Sequence, residues 1–253
     1  MLFTNLVQAN LKTRILGKQI EYYSRLDSTN SEVWEIINKG AQSGALIVTD
    51  NQFNGKGRSG RTWFSTPDKS LTFSLLICSN LDANLSNWLP IISGLAVHKA
   101  LSLFDTPINL KYPNDLILDG KKVGGILCES KVKGDELNQV VIGVGLNVNE
   151  TKDDFDDRLQ ATSMKIYSGK FYQRERVLAE ILNELEPLLD GLPSNIDLVK
   201  SQWESACDHM NKDVQFHHGD NIINGFFKSL GDSGTAVLDI NGKDTEFYSG
   251  KIL

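Results

Sequence analysis

The stretch Gly55-Lys56-Gly57-Arg58-Ser59-Gly60-Arg61 concentrates three cations and three glycines, with Gln52 just before it and Trp63 just after. Glycines let backbone N–H groups approach an anion closely, and arginine clamps a phosphate or carboxylate with two parallel hydrogen bonds. The chemistry that suits such a stretch is the holding of phosphates. Gly55, Gly57 and Gly60 match the G-x-G-x-x-G of dinucleotide-binding folds literally, but that fingerprint opens a helix. Here Trp63-Phe64-Ser65-Thr66-Pro67 follows and a strand comes next. A kinase loop fails for want of His-Arg-Asp and Asp-Phe-Gly companions. Taken alone, the stretch also reads as a solvated turn or a nucleic-acid contact.

A second cluster spans residues 111 to 129, KYPNDLILDGKKVGGILCE. Lys111, Asn114 and Asp115 stand on one side of a tight turn, and Lys122, Gly124, Gly125 and Glu129 on the other; a hairpin would bring the two strands together. Pro113 pins one φ angle, so that Asn114 and Asp115 are presented at a sheet end. Lys122 beside a double glycine suits an electrophilic helper, since no side chain stops its ammonium from approaching a carboxylate and a phosphate together. The plain alternative is an exposed strand lysine. A third segment, GVGLNVN from Gly143 to Asn149, ends an apolar strand with a backbone on which a flat ligand can lie, or else is a β-bulge with a polar exit.

Positioning these groups requires a scaffold. A strand is expected at Gln19 to Leu26 and a helix from Ser28 to Lys39, with Val33, Trp34, Ile36 and Ile37 apolar and Gly40 closing it. Strands are expected at Gly44 to Thr49 and Leu71 to Cys78, flanking a surface loop from Asn51 to Trp63. Leu85 to Leu103 has the spacing of a long helix with one buried face. Residues 108 to 118, 122 to 132 and 137 to 148 read as successive strands turning at Asp119-Gly120 and Lys133-Gly134-Asp135. Helices return at Arg174 to Leu189 and Ile196 to Cys207. The alternating tail from Lys212 to Leu253 suggests a small separate β-barrel with turns near His218-Gly219-Asp220, Gly231 to Gly234 and Asn241-Gly242.

The whole is bounded by composition. With 253 residues, 40% hydrophobic and 23% charged, the chain is an ordinary globular one with room for an extensive core. A net charge of -6 gives no general attraction to nucleic acid. Cys78, Cys128 and Cys207 lack Cys-x-x-Cys spacing and are expected to be buried free thiols in a reducing compartment. No leader pattern or membrane-spanning run is evident, so a cytoplasmic location with no membrane partner is expected.

The order Ser28-Thr29-Asn30, Gln52 with GKGRSGR-x-Trp, Lys-x-Pro-Asn-Asp, Lys-x-Gly-Gly-Ile-Leu and Gly-x-Gly-x-Asn-Val-Asn resembles the biotin–protein ligase family over about 120 residues. No single motif is specific; the ordered combination is. The resemblance implies an α+β fold: a catalytic domain like that of class II aminoacyl-tRNA synthetases, with a mixed sheet and helices, over residues 1–208. It also implies a small SH3-like β-barrel over 209–253. Biotin binding would fall to Ser28, Thr29, Asn30, Gln52, Gly55, Lys56, Arg58, Lys122, Gly125, Leu127, Gly143 and Leu146. ATP binding would fall to Arg58, Arg61, Trp63, Lys111, Asn114 and Asn147, with Trp63 packing on adenine. Lys122, Arg58 and Asp115 would be the catalytic residues. No metal-binding motif stands out, and Mg²⁺ is expected to arrive on the ATP phosphates. Lys56 stands where many relatives have Arg, which weakens bidentate anion binding, and Tyr112 where many have Trp, which alters packing. No helix-turn-helix segment precedes the catalytic part, which implies a monofunctional ligase.

The implied reaction joins two anions. Biotin's carboxylate attacks the α-phosphate of ATP to give biotinyl-5′-adenylate and pyrophosphate, and a lysine of a biotin carboxyl carrier domain, as in acetyl-CoA carboxylase or another biotin-dependent carboxylase, then takes the acyl group. Lys122, Arg58 and Mg²⁺ would offset the repulsion, the ordered loop would exclude water, and Asp115 would orient or accept a proton from the lysine. The nearest rival is a lipoate or octanoate ligase or transferase on the same scaffold; Ser28, Thr29 and Gln52 supply polar partners that such acids do not need. A nucleic-acid-binding protein using GKGRSGR is opposed by the acidic net charge. No nucleic-acid partner is expected, and a homodimer is compatible with the sequence.

Overall fold

A computed structural model describes residues 1–156 and 158–253. In chain order the elements are α1 (Thr4–Asn10), β1 (Ile20–Tyr23), α2 (Thr29–Asn38), β2 (Leu46–Thr49), β3 (Gly55–Lys56), β4 (Thr62–Trp63), β5 (Leu71–Asp82) and α3 (Trp88–Ser102). Then follow β6 (Asn109–Lys111), β7 (Asp115–Leu118), β8 (Lys121–Lys133), β9 (Glu136–Leu146), α4 (Met164–Ser168), α5 (Arg174–Asp190) and α6 (Ile196–Ala206). The C-terminal part holds β10 (Asp213–His218), β11 (Asn221–Leu230), β12 (Ala236–Ile240), β13 (Lys243–Phe247) and β14 (Lys251–Ile252).

The fold is α+β. Seven strands form one mixed sheet in the order β1-β2-β5-β9-β8-β7-β6, in which only β1 and β2 run parallel. Strand side chains alternate, so each face has its own set. Leu46, Val48, Phe73, Leu75, Ile142 and Val144 point into the main core, which α3, α5 and α6 complete. Ile47, Leu76 and Val141 point the other way and meet Val33 and Ile36 of α2. The same parity places Thr72, Ser74, Gly143 and Gly145 on the α2 face, beyond that small cluster. This is the side on which polar groups gather.

Residues 108 to 118 do not form the single strand expected. β6 and β7 pair with each other, Asn109 opposite Ile117 and Lys111 opposite Asp115, because Tyr112, Pro113 and Asn114 make the turn. The segment expected as a surface loop is itself a hairpin: Gly55 pairs with Trp63 and Lys56 with Thr62 around a 3-10 turn at Arg58–Gly60. Gly60 takes φ 72°, a conformation that suits glycine. The thiols are free, but Cys78 is exposed and Cys128 and Cys207 are half-buried, contrary to the expectation of three buried ones. Cys78 lies where β5 has left the core and is about to bulge.

The C-terminal strands form an antiparallel sheet in the order β13-β12-β11-β10-β14. Its fully buried Phe216 and Phe227 lie against Tyr112, with ring centroids 6.2 and 6.0 Å away, and Tyr112 meets Trp203 of α6 edge-on at 6.3 Å. Burying such a ring contributes on the order of 2 kcal/mol. Trp88 Nε1 donates to the carbonyl of Asp232 at 3.0 Å, and Leu230 N donates to Glu204 at 2.8 Å. Tyr112 is thus the aromatic residue that joins the β6–β7 turn to the C-terminal sheet.

Candidate active site

The α2 face of the sheet, the β3–β4 hairpin and the C-terminal sheet enclose a cavity of about 450 Å³. Its base is polar. Ser28 stands at the N-cap of α2 without a side-chain capping bond, so its hydroxyl is not committed to the helix. Gln52 Oε1 accepts from Thr29 N at 2.8 Å and lies 3.2 Å from Thr29 Oγ1, while Ser65 brackets the Gln52 backbone through both its N–H and its carbonyl. Asn30 is fixed beneath them by Ser74 and Glu129.

Glycines in β9 make room for this base, but the groups lying on them belong to the chain. A Cβ on Gly143 would strike the Asn30 amide, and one on Gly145 would come within 2.7 Å of the Trp63 indole. The flat group resting on the Gly145 backbone is therefore Trp63, whose Nε1 is buried and has no partner. Thr72 Oγ1, also on the wall, is likewise unpartnered.

The rim is cationic. A β-bulge between Leu116 and Ile117 on the β7–β8 ladder pairs Ile117 with Lys122 but Asp115 with Gly125. Without that extra residue, positions 122 and 125 would face opposite sides; with it, Lys122, Gly125 and Asp115 share one face. The Lys122 side chain folds over Gly125, its Nζ 3.5 Å from where a Cβ would stand, and its ammonium donates to Asp115. Arg58 donates to Asn114 Oδ1 at 3.2 Å, and Asn114 Nδ2 donates to the Ile126 carbonyl at 2.7 Å, so the hairpin is tied to the sheet. Burial holds the Arg58 guanidinium below its usual range.

Of the residues singled out in the sequence, Ser28, Thr29, Asn30, Gln52, Lys56, Arg58, Arg61, Trp63, Asn114, Asp115, Lys122, Gly125, Leu127 and Gly143 line this one cavity. Four do not. Gly55 sits behind the wall, against Gln52 and Trp63. Leu146 is one strand position past Gly145 and points into the main core. Lys111 lies on β6, just outside. Asn147 is buried and spends its amide on the Thr162 carbonyl at 2.9 Å, which braces the segment paired with Lys122.

Sequence reasoning missed the contribution of the C-terminal sheet. His217, Gly219, Ser249, Gly250 and Lys251 all reach the cavity. Burial, then Arg61 and Arg58, pull the Lys251 ammonium below the ordinary lysine value, while Asp115 pulls the other way. The one available signal was the Ser249-Gly250-Lys251 turn at the end of the tail; nothing local says where it docks. Among the described residues the wall carries five cations, Lys56, Arg58, Arg61, Lys122 and Lys251, against the single carboxylate of Asp115. Such a site calls for a polyanion at its rim and for a ligand rich in hydrogen-bonding groups at its base.

The biotin/lipoate A/B protein ligase family model matches residues 22–147, which contain nearly all of this site. The bifunctional ligase/repressor BirA of Bacillus spizizenii is 30% identical over 97% of this chain and 77% of its own length. The biotin–[acetyl-CoA-carboxylase] ligase of Mycobacterium tuberculosis is 25% identical over 97% of this chain and 94% of its own. Among solved structures, the biotin protein ligase of Aquifex aeolicus in complex with biotin and ATP superposes with a TM-score of 0.79 at 28% identity, covering 93% of this chain and 98% of that one.

Proposed function

The chain belongs to the biotin–protein ligase family, and from that membership and the geometry of the cavity we infer how its residues divide the work. It is an ATP-dependent biotin–protein ligase: biotin and ATP give biotinyl-5′-adenylate and pyrophosphate, and biotin then passes to a lysine of a biotin carboxyl carrier domain. The observation that carries the assignment of roles is the meeting of a polar base and a cationic rim at Lys122.

Biotin's ureido ring lies on Ser28, Thr29 and Gln52, and its carboxylate reaches Lys122. The triphosphate lies along Arg58, Arg61 and Lys251. With both anions on cations, the carboxylate oxygen attacks the α-phosphorus and the bond to the bridging oxygen of pyrophosphate breaks. Lys122 leaves Asp115 for the incoming carboxylate, which frees Asp115 to orient the carrier lysine and take its proton in the second step. The neutral amine then attacks the acyl carbon and AMP departs.

Among the described residues no group of three His, Cys, Asp or Glu can hold a metal. Mg²⁺ arriving on the ATP phosphates would supply charge neutralisation there. Among the described residues, no helix is long and apolar enough to cross a membrane. Residues 1–208 act as the catalytic unit, and residues 209–253 act as a second module that closes it from above.

The test is pyrophosphate release with biotin, lipoate and octanoate in parallel, followed by mass analysis of a biotin carrier domain. Biotin-dependent release and one added biotinyl group are expected. Equal release with lipoate would move the reading to the rival ligase, which has no use for the hydrogen-bonding base.

A further inference from the structure

Beneath the cavity, polar side chains run in a single file from half-buried Glu129 on β8 to the ligand space. Glu129 accepts from Asn30 Nδ2 at 2.7 Å and from Trp34 Nε1 at 3.4 Å. The same Nδ2 donates to the Leu127 carbonyl at 3.4 Å. Both neighbours of that nitrogen are acceptors only, so the Asn30 amide has one orientation, with Oδ1 toward Ser74. Ser74 Oγ lies 2.6 Å from Asn30 Oδ1 and 2.6 Å from Thr29 Oγ1.

A hydroxyl has one proton. An amide oxygen cannot donate, so the Ser74 proton goes to Asn30. Two hydroxyl oxygens 2.6 Å apart need a proton between them, so the Thr29 proton goes to Ser74 rather than to Gln52 Oε1, which is 3.2 Å away. Thr29 is left with lone pairs facing the cavity. Gln52 Oε1 is held by Thr29 N, so Gln52 has only its amide N–H groups left to offer. Thr29, Asn30 and Ser74 are 3%, 4% and 0% exposed, so water does not supply alternative partners cheaply.

We propose that Glu129 is a positioning residue that sets the direction of this relay and so makes the Thr29 hydroxyl an acceptor for a ring N–H of the ligand. The proposal rests on the ligand being biotin, whose ureido ring offers two N–H donors and one carbonyl. An acid with no ring N–H gains nothing from an acceptor at Thr29, so the selectivity of the site is anchored at Glu129, three residues back along the relay from Thr29.

The experiment uses the full chain and follows pyrophosphate release with biotin and with desthiobiotin, which keeps the ureido group. Glu129→Leu frees the Asn30 amide to turn; KM for both acids should rise together by about tenfold or more, the scale of one lost hydrogen bond to a ligand, with kcat and the KM for ATP unchanged. Glu129→Gln keeps an acceptor oxygen for Asn30 and should restore most of the affinity. Should Glu129→Leu fail to fold, Ser74→Ala cuts the same relay and should give the same signature. Wild-type KM for biotin in Glu129→Leu or Ser74→Ala, or a loss shared by kcat and the KM for ATP, would overturn the relay. Absence of biotin-dependent release in the wild type would instead overturn the assignment of the ligand.

Discussion

The ammonium of Lys122 is held by the carboxylate of Asp115 across the β7–β8 hairpin, on the face that the bulge at Leu116 creates. The cation best placed to meet an incoming carboxylate is therefore already engaged, by the only carboxylate that the described residues bring to the cavity wall. An arriving anion has to exchange with Asp115. The two residues are read best as a pair whose partner changes between the two chemical steps.

Substitutions should split that pair by step. Lys122→Met should lower adenylate formation by about 10²-fold or more, the scale of removing one charged stabiliser from a transition state. Lys122→Arg should not restore it, because a planar fork does not reproduce the compact ammonium that lies over Gly125 and reaches Asp115. Asp115→Asn should leave adenylate formation within about tenfold and slow transfer from preformed adenylate by about 10²-fold. Single-turnover transfer at the normal rate in Asp115→Asn would remove Asp115 from the second step.

Arg58 is the tie between the β3–β4 hairpin and the sheet, through Asn114. Arg58→Gly removes both the tie and a phosphate contact, so adenylate should still form measurably but escape from the cavity. The check is free adenylate in the filtrate and biotin on lysines other than the carrier's. Biotinylation still confined to the carrier lysine, with no free adenylate, would show that the hairpin retains the intermediate without this arginine.

Lys251 belongs to the last two-residue strand, yet it shares the rim with Arg58 and Arg61. Its repulsion from them, offset in part by Asp115, is relieved further when a polyanion lies between. Lys251→Met should raise the KM for ATP by about tenfold, equivalent to about 1.4 kcal/mol, and leave the KM for biotin unchanged. An unchanged KM for ATP would mean that the C-terminal sheet covers the site without touching the nucleotide.

The place of the site was legible in the sequence because the motifs in their order resemble one family, although each motif alone has a plain alternative, and 14 of the residues to which the resemblance gives a role line one cavity. The long periodic elements were legible too: α2, α3, α5 and α6 fall within a few residues of their expected bounds. Short elements were not. Helix α1 buries only Val7 and has no side-chain cap, so it leaves no periodic trace. The β6–β7 hairpin was read as one strand because apolar residues flank the Tyr112-Pro113-Asn114 turn on both sides. Leu146 was misplaced by a single strand position, which reverses the face it occupies. The docking of the C-terminal sheet was invisible because Tyr112, Trp203, Phe216 and Phe227 meet only in three dimensions.

That aromatic joint carries a titratable group. His209 is 6% exposed, packs edge-on to Phe227 at 4.5 Å and to Trp203 at 6.2 Å, and its Nδ1 has no partner. Burial, with Lys111 and Lys212 adding to it, pushes its pKa down from the ordinary 6.5 to about 3. The folded chain therefore keeps the ring neutral where the unfolded chain takes up a proton. The stability this group contributes is complete above pH 6.5 and is lost as pH falls toward 3, at about 1.4 kcal/mol per pH unit. Between pH 6.5 and 5 the loss amounts to about 2 kcal/mol. In His209→Asn the acid side of the stability profile should be flatter by that amount, as read from urea midpoints at pH 7 and pH 5. Equal midpoint shifts in both proteins would show that His209 takes up its proton without disturbing the joint.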